Sequence, residues 1–545
     1  MTRETTAFPD SPPPKRTAVI LLDGLLAIEN PDDLPHGVAF DGRPSLPDAF
    51  LEAVARRADH PAIEIGQAAF SYRAIASAAG RVATSLQCQQ ISSRGRVVLL
   101  LPNGAQYLAA FYGALLAGGV AVPLPPQVEA TRLSHVLDVC EAEFVLTTSE
   151  VISRRGTELS SPQRIEEFLN GRHAADKGWR DFTGGMNEAQ ADLAMILFTA
   201  GSTGEPKGVM LSHNNLLANA RSILEYLPIT PEDRALALLP FYHAFGNSVL
   251  QTHVLGGATL VVDGSAAFPL TVTEALRRHS ITSFSAVPEV YHGLITRGDL
   301  GRSPLPALRY MTVAGGALAP CDVLEVARRI APARFFVMYG QTEATARLTY
   351  LPPEEVAKHP DSIGRAIPGV SLRVADESGE VLPAGQIGEL QARGPNVMLG
   401  YWRDPASTKA MIQDGWLRTG DLAVADEEGL LYLRGRWNAL VKVQGIRVHP
   451  AEIEEVVARR WPECRPVVVP FQGSEATRLA MFLQAGRDST MDIQAVRSLC
   501  LRELPRPKVP AHIEIVSELP LNAALKIDRQ ALIRRAEAAA KDNAA

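Results

Sequence analysis

Short runs of β-branched and other apolar residues alternate with longer runs of helical periodicity over much of this chain of 545 residues. The helical runs lie at 106–116 and 212–227. The β-type runs lie at 97–101, 144–147, 194–198, 235–239, 259–262, 282–286, 308–313 and 335–338. Strands that alternate with helices are typical of βαβ units and a largely parallel sheet. The sequence therefore predicts an α/β fold.

Beyond about residue 370 the pattern changes to short alternating runs separated by turn residues, as at 371–374 and 430–433. This pattern predicts a β-rich subdomain over about 370–435. A further helical pattern opens at Pro450, and its spacing places Ile453, Val456 and Val457 on an inward face.

These changes of pattern divide the chain into three parts. Residues 1–45 are rich in proline, which predicts an irregular leader. Residues 46–435 form the predicted large N-terminal domain, which includes the β-rich subdomain. Residues 436–545 form the predicted small α+β C-terminal domain.

The overall charge excludes one class of partner. Lys and Arg total 54 against 60 Asp and Glu, a formal net charge of −6. The chain therefore has no overall basic field that would recruit nucleic acid. Any site for phosphate must be local.

Cysteine spacing and hydropathy indicate the compartment. The five cysteines include no C-x-x-C pair, which suits neither a zinc site nor a disulfide framework. No apolar run approaches the ~18 residues of a spanning helix, and no signal-peptide cleavage pattern is evident. We expect a cytoplasmic protein without a transmembrane segment.

The most informative segment is the loop at 198–208, Phe-Thr-Ala-Gly-Ser-Thr-Gly-Glu-Pro-Lys-Gly. Its glycines permit tight turns and a close approach of the backbone to an anion. Hydroxyl groups and a lysine supply further donors. A strand before the loop and a helix behind it favour a polyphosphate site. The candidate ligand-binding residues are Thr199, Ser202, Thr203, Gly204 and Lys207.

A Walker loop is excluded, because that motif requires glycine before its lysine and a hydroxyl residue after it. Here Pro206 and Gly208 are the neighbours of Lys207. The loop instead resembles the phosphate loop of the adenylate-forming, AMP-binding superfamily. That superfamily includes acyl-CoA synthetases, luciferases and the adenylation domains of peptide synthetases.

Further segments match that family in its own order and extend the resemblance over about residues 45–535. They lie at 241–243, 314–317, 339–343, 388–390, 401–402, 419–421, 435–436, 442–445 and 526–529. The resemblance implies an enzyme that joins a carboxylate to AMP from ATP, releases pyrophosphate and then transfers the acyl group to a thiol.

The segment 339–343, Tyr-Gly-Gln-Thr-Glu, suits a nucleotide cleft that includes Gly340. A single carboxylate beside phosphate-binding hydroxyls suits Mg²⁺, which keeps several waters and few protein ligands, so Glu343 is the predicted metal ligand. Thr342 is expected to donate to the α-phosphate, and Tyr339 to pack against adenine. The backbone that hydrogen-bonds adenine is expected at Gly315, Gly316 and Ala317.

Two charged residues are expected to hold the nucleoside. Asp421 lies in a Thr-Gly-Asp turn, where a carboxylate can accept from both ribose hydroxyls, although this role rests mainly on the resemblance. Arg436 could reach ribose and phosphate with its planar donors.

Lys526 is the main catalytic candidate. The resemblance places Lys526 in a loop of the C-terminal domain, where its ammonium group contacts the substrate carboxylate and the α-phosphate as the pyrophosphate bond breaks. The resemblance also implies that this domain is mobile and rotates about a hinge at about 436–439. The segment with Lys442 and Gly445 then lines the thiol tunnel.

This chain departs from many relatives at two of these points. Leu525 stands where glycine commonly precedes the lysine, so we expect a stiffer loop. The hinge lacks a second acid, but its Asn438 tolerates unusual backbone angles.

The acid substrate is constrained by the segment after Phe241. Amino-acid-activating relatives carry aspartate there, whereas this chain has Tyr242 and His243, so an α-amino acid is disfavoured. Aromatic and small apolar neighbours predict an apolar acyl or aryl pocket. His243 is expected at its mouth, near the reacting carboxylate.

The leading hypothesis is an AMP-forming acyl-CoA synthetase that uses ATP, Mg²⁺ and coenzyme A to activate an apolar carboxylic acid, a fatty acid above all. One alternative is a stand-alone ligase that loads an acyl or aryl acid onto the phosphopantetheine arm of an acyl carrier protein. A non-catalytic nucleotide-binding relative is disfavoured by the presence of Lys207, Glu343, Asp421, Arg436 and Lys526.

Overall fold

The computed structural model describes residues 17–26, 45–155, 192–199, 206–437, 441–443, 446–448, 450–461, 464–473, 476–484, 491–521 and 527–542. The chain forms two compact units. Unit 1 comprises Met1–His60 and Phe70–His213, and unit 2 comprises Pro61–Ala69 and Asn214–Ala545.

The α-helices of the described residues are α1 Leu46–Arg57, α2 Tyr72–Cys88, α3 Ala105–Leu116, α4 Ala130–Cys140, α5 Ser149–Arg155, α6 His213–Tyr226, α7 Ala244–Leu255, α8 Pro269–Arg278, α9 Pro288–Thr296, α10 Pro320–Ile330, α11 Pro405–Met411, α12 Pro450–Arg460, α13 Ile493–Glu503 and α14 Arg529–Asp542. Short 3₁₀ helices lie at Thr342–Ala344, Pro353–Glu355 and Arg506–Lys508.

The strands of the described residues are β1 Ala18–Leu21, β2 Pro61–Ile65, β3 Ala68–Ser71, β4 Arg96–Leu100, β5 Val120–Leu124, β6 Phe144–Thr147, β7 Leu193–Thr199, β8 Lys207–Ser212, β9 Arg234–Leu236, β10 Thr259–Val262, β11 Ser283–Ala286, β12 Tyr310–Val313, β13 Arg334–Tyr339, β14 Thr349–Leu351, β15 Arg365–Ala366, β16 Ser371–Ala375, β17 Gly388–Arg393, β18 Gly400–Tyr401, β19 Ile412–Gln413, β20 Trp416–Ala425, β21 Leu431–Arg436, β22 Val441–Val443, β23 Ile446–Val448, β24 Arg465–Gln472, β25 Thr477–Gln484 and β26 His512–Val516.

Unit 1 contains a mainly parallel sheet. Its strands follow the order β1-β6-β4-β5-β7-β8, and β8 is antiparallel to β7. Strand β5 is buried along its whole length, as expected for a parallel strand covered on both faces. Helix α3 packs closely on α2, because a Cβ at Gly113 would lie 2.6 Å from the Cβ of Val82.

Unit 2 contains a second parallel sheet, with strand order β13-β12-β11-β9-β10-β2. Strand β14 is antiparallel to β13. Helices α8, α9 and α10 each begin with proline, whose fixed φ suits the first helical turn. The rings of Phe284, Tyr291 and Phe335 pack edge to face between this sheet and α9.

The strand-rich subdomain predicted over about 370–435 is confirmed. Strands β16, β17, β20 and β19 form an antiparallel sheet in that order, and β21 pairs with β20. Further along the chain, β24, β25 and β26 form a three-stranded sheet with helices α12, α13 and α14 in the same segment. The α/β fold class is therefore confirmed. The domain boundaries and the mobility of the C-terminal part stay predictions.

The helix predicted at 212–227 is present as α6, His213–Tyr226. Strand β8, which the sequence did not predict, lies between this helix and the glycine-rich loop. Thr199 and Lys207 are opposite each other in the β7–β8 ladder. The loop therefore connects two antiparallel strands, and the N-terminus of α6 does not follow it directly.

An ion pair between a buried carboxylate and a partly exposed guanidinium joins the amino ends of three neighbouring parallel strands in unit 2. Asp233, just before β9, is fully buried, and its Oδ1 lies 2.6 Å from Nη1 of Arg309. The hydroxyl of Thr282 donates to the same oxygen over 2.5 Å. Arg309 and Thr282 precede β12 and β11, so this carboxylate fixes the relative register of the strands.

We predict that Asp233→Asn lowers the free energy of unfolding by about 2 kcal/mol, because it weakens the hydrogen bonds that the buried carboxylate accepts from Arg309 and Thr282. Urea denaturation followed by circular dichroism measures the loss. The control is Asp263→Asn, which removes a more exposed carboxylate paired with Arg278 and His279 and should cost no more than about 1 kcal/mol. Equal losses in the two variants would contradict the proposed role of Asp233.

Candidate active site

The carboxyl ends of parallel strands in unit 2 bring predicted site segments to one edge of the sheet. Strands β12 and β13 are direct neighbours, with Val313 opposite Val337. The segment Gly315 to Ala317 follows β12, and the segment Gly340 to Glu343 follows β13. Such an edge is where open α/β sheets bind ligands.

Two glycines at this edge are required by the backbone. Gly315 has a φ of +89°, a conformation that other residues rarely adopt. A Cβ at Gly340 would lie 1.9 Å from the carbonyl oxygen of Ala346. Gly340 therefore allows the chain to fold back on itself, which gives it a structural role whether or not it also contacts a nucleotide. Gly316 and Ala317 are exposed.

Thr342 and Glu343 lie on a single 3₁₀ turn, which ends at Thr345 in the left-handed conformation. The side chain of Asn396 holds this turn. Its Nδ2 donates to the carbonyl oxygens of Ala344 and Arg347 over 3.1 and 2.9 Å. The hydroxyl of Thr345 donates to the carbonyl oxygen of Asn396 over 2.6 Å. The turn is thus fixed from a segment about fifty residues away in sequence.

The Glu343 carboxylate is oriented by a tyrosine. The hydroxyl of Tyr401 donates to Oε1 of Glu343 over 2.8 Å, and the backbone N–H of Met398 donates to the Glu343 carbonyl over 2.9 Å. Burial, together with the neighbouring Glu343 charge, raises the pKa of Tyr401. The tyrosine therefore stays protonated and donates, which leaves Oε2 of Glu343 for another ligand.

Asp421 is held through both of its carboxylate oxygens. The hydroxyl of Tyr339 donates to Oδ2 over 2.6 Å, and Nε of Arg436 donates to Oδ1 over 2.8 Å. The Asp421 side chain is 9% exposed, whereas that of Arg436 is 65% exposed. A pair so accessible to water contributes little to stability, so its main effect is to position the two groups.

The charges around Asp421 reinforce this arrangement. Asp421 and Arg436 are directly opposite in the β20–β21 ladder, which sets their separation through the backbone. The Asp421 carboxylate raises the pKa of Arg436 despite partial burial. Burial and the same carboxylate raise the pKa of Tyr339 well above its usual range. Both partners therefore keep their protons near neutral pH and donate to the Asp421 carboxylate.

Glu389 supports the turn that carries Asp421. It is 3% exposed; its Oε2 accepts from Nε of Arg418 over 2.6 Å and its Oε1 from the Gly420 N–H over 3.3 Å. The Thr419 hydroxyl donates to the Leu390 carbonyl over 2.6 Å. The sequence showed these residues within matching segments but gave no sign of this supporting role.

His243 lies at the N-terminus of α7 and is half-buried. Its ring is 4.7 Å from that of Tyr242, measured between centroids. Because β9 ends at Leu236, the segment with His243 follows a strand of the same parallel sheet. The place of His243 at the mouth of an acyl pocket stays a prediction.

Several predicted site residues lie outside the described part of the chain. They are Ser202, Thr203, Gly204, Asn438, Gly445 and Lys526. Thr199 and Lys207 belong to unit 1, at facing ends of β7 and β8. Lys442 is described only as a backbone position in β22, opposite Arg447 in β23.

The described residues contain no group of three or more His, Cys, Asp or Glu side chains that could enclose a metal ion. Magnesium needs no such cage, since it commonly takes one or two carboxylates together with substrate phosphates and water. An oriented Glu343 with one oxygen left for a ligand fits that requirement.

Fold and site together define a nucleotide-binding enzyme, and residues 50–402 match the family described as AMP-binding enzyme. The chain belongs to this family, which confirms the resemblance read from the motifs and the prediction that the protein is an enzyme. The match also confirms an adenine nucleotide as a ligand class.

Individual relatives cover nearly the whole chain. A long-chain-fatty-acid–CoA ligase of Escherichia coli O6:H1 is 30% identical over 92% of this chain and 96% of its own. A feruloyl-CoA synthase of Amycolatopsis is 29% identical over 88% of this chain and 97% of its own. The crystal structure of ATP-bound MatB from Rhodopseudomonas palustris has a TM-score of 0.77 and 26% identity, and it covers 91% of this chain and all of that one.

Within the described residues, no helix has the length and apolar character required to cross a bilayer.

We predict that Tyr339→Phe weakens AMP binding about tenfold, because Asp421 loses one of the two bonds that orient it. Titration calorimetry measures the affinity. The matched control is Tyr432→Phe, which removes another tyrosine–aspartate bond, from Tyr432 to Asp426 over 3.0 Å. We expect that variant to bind AMP normally. Unchanged affinity in Tyr339→Phe would show that the Asp421 orientation does not govern nucleotide binding.

Proposed function

We propose that this protein is an ATP-dependent acid–thiol ligase that converts an apolar acyl or aryl acid to its acyl adenylate and then to its coenzyme A thioester. The main observation behind the proposal is that each oxygen of the Asp421 carboxylate accepts a hydrogen bond, one from Tyr339 and one from Arg436. A fixed acceptor with two oxygens suits the two vicinal hydroxyls of a ribose. Membership of the AMP-binding family and the names of its relatives support the same activity.

In the first step, a carboxylate oxygen of the acid attacks the α-phosphorus of ATP. The bond from the α-phosphorus to its bridging oxygen breaks, and pyrophosphate leaves with that oxygen. Lys526 stabilises the charge that develops, and the Thr342 hydroxyl donates to an α-phosphate oxygen. Thr199, Ser202, Thr203 and Lys207 bind the outgoing phosphates.

Glu343 is the proposed ligand of a magnesium ion, which supplies charge compensation for the phosphates when bound. The chain contributes the orientation, since Tyr401 fixes Oε1 of the carboxylate and leaves Oε2 for a ligand. Tyr339 and the backbone of Gly315 to Ala317 bind adenine, and Asp421 with Arg436 binds the ribose.

In the second step, the thiol sulfur attacks the acyl carbon, and AMP leaves with the oxygen that joined it to the acyl group. We propose that, before this attack, the C-terminal segment turns about residues 436–439, so that the Lys442 to Gly445 segment replaces Lys526. His243 lies at the acid end of the site. The relatives named for fatty-acid and feruloyl substrates support an apolar acid body.

The function is tested by measuring pyrophosphate release with a panel of alkyl and aryl acids, followed by mass detection of the thioester. Coenzyme A and a purified phosphopantetheinylated acyl carrier protein serve as alternative acceptors. Thioester formation with coenzyme A supports the proposal. Acyl transfer to the carrier protein but not to coenzyme A would replace coenzyme A as the acceptor in the second step. Failure to release pyrophosphate with any acid would overturn the proposed adenylation step.

We predict that Lys526→Ala slows pyrophosphate release about 10²- to 10³-fold while AMP affinity is retained, because the charge acts mainly as the bond breaks. Thiolysis of a supplied acyl adenylate should continue. The control is Lys508→Ala, which removes another C-terminal lysine, one paired with Glu452. A near-normal rate of pyrophosphate release in Lys526→Ala would show that another group has the catalytic role.

We predict that Glu343→Gln raises the magnesium concentration needed for half-maximal pyrophosphate release at least about tenfold, because the amide keeps the Tyr401 bond but loses the negative charge. A magnesium titration at saturating ATP measures the shift. Glu354→Gln, at an exposed position on the next 3₁₀ helix, is the control. An unchanged titration midpoint in Glu343→Gln would place the metal elsewhere.

A further inference from the structure

A buried arginine in unit 2 is not explained by the adenylation chemistry. Arg347 is 2% exposed and is among the largest fully buried side chains of the described residues. It follows the Thr342–Ala344 turn by three residues, after Thr345 and Ala346, which both have positive φ. Its backbone carbonyl is satisfied, since Asn219 and Asn396 both donate to it.

The guanidinium of Arg347 lies among aromatic side chains. Its Cζ is 4.1 Å from the ring centroid of Phe245, and it hydrogen-bonds the Tyr226 hydroxyl. Tyr226 in turn stacks on Tyr350, with 4.1 Å between ring centroids. Burial raises the pKa of Tyr226 to about 12, so this phenol is neutral near pH 7 and supplies no counter-charge.

Two of the three guanidinium nitrogens of Arg347 make no hydrogen bond within the described residues. Within the described residues, its Nε and Nη1 atoms are buried and have no hydrogen-bond partner, and it forms no ion pair. A guanidinium is charged at any physiological pH and presents donors in a planar fork that matches a carboxylate. Burial of such a group without a counter-ion is unfavourable, and contact with aromatic rings offsets only part of the loss.

Three other partly buried arginines of unit 2 each pair with a carboxylate. Arg234 pairs with Glu64, Arg309 with Asp233 and Arg418 with Glu389, each at an N–O distance of 2.6 Å. All three guanidinium groups are more exposed than that of Arg347. Of these four arginines, the most deeply buried is therefore the one that lacks a carboxylate partner among the described residues.

Arg347 contacts the segment already placed at the acid end of the site. Phe245 lies two residues after His243, on helix α7, and is half-buried. Its ring thus covers the guanidinium. A second buried donor on the same helix, Nδ2 of Asn247, also has no partner within the described residues. Helix α7 is buried from Gly246 to Leu255, so these donors face a closed environment.

We propose that Arg347 is a specificity-determining residue that binds a second carboxylate on the acid substrate. This inference rests on the proposed ligase function and narrows its substrate class to dicarboxylic acids. The Phe245 ring moves aside as the carboxylate accepts from Nε and Nη1. The amide of Asn247 is the second donor available on α7.

The test compares kcat/KM for pyrophosphate release with dicarboxylic acids and with monocarboxylic acids of the same chain length, over short to medium lengths. We expect at least about a tenfold preference for the dicarboxylic acid at one optimal length, because the position of Arg347 is fixed. The wild-type enzyme alone provides this comparison. No preference at any length would overturn the proposal.

Arg347→Met then tests the residue. We expect it to lower kcat/KM for the preferred dicarboxylic acid about 10²-fold and to leave the matching monocarboxylic acid within a few-fold of wild type. The control is Arg373→Met, which removes an arginine that stacks on Trp416 at 4.2 Å and lies outside the proposed site. AMP affinity and the circular dichroism melting curve verify that both variants are folded.

The outcomes separate the two levels of the proposal. Pyrophosphate release with both acid series at equal kcat/KM would overturn the role of Arg347 and leave the ligase function intact. No release with any acid would overturn the ligase function itself. Equal losses for both series in a folded Arg347→Met variant would assign Arg347 to packing against Phe245, which also overturns the proposal.

Discussion

The parallel register of strands β9 to β13 is the constraint on which the site in unit 2 depends. At the amino ends, the buried carboxylate of Asp233 joins the starts of three strands through Arg309 and Thr282. At the carboxyl ends, the same register brings neighbouring loops to a single edge. Closure of the chain at that edge requires the absence of a side chain at Gly340. Stability and site geometry are therefore fixed at opposite ends of the same strands.

Asp421 connects this parallel sheet to the antiparallel subdomain. Tyr339 ends β13 of the parallel sheet, whereas Arg436 ends β21 of the other, and both donate to Asp421. The backbone ladder sets the Arg436 contact, and burial keeps the Tyr339 phenol protonated. Displacement of either sheet would change the direction of the carboxylate. The direction of the Asp421 carboxylate therefore depends on the relative position of two elements far apart in sequence.

The sequence predicts secondary-structure elements and motifs better than it predicts strand pairing and side-chain contacts. The strands at 144–147 and 259–262 have the predicted limits, because each is a short apolar run that the sheet buries. Strand β8 was missed, since it is a strand only through its long-range pairing with β7. Tyr401 and Asn396 carried no sign of their contacts with the Thr342–Ala344 turn, which depend on tertiary folding.

The burial of Arg347 changes how the acid pocket is understood. The aromatic and small residues around His243 predict an apolar pocket, and composition alone gives no reason to add a charge to it. In the folded chain, however, a guanidinium lies against Phe245 with two unfilled donors. An apolar chain would leave that charge uncompensated, whereas a carboxylate would satisfy its donors and supply the missing counter-charge. An apolar lining and a single buried cation are compatible when the substrate is apolar in its middle and ionised at both ends.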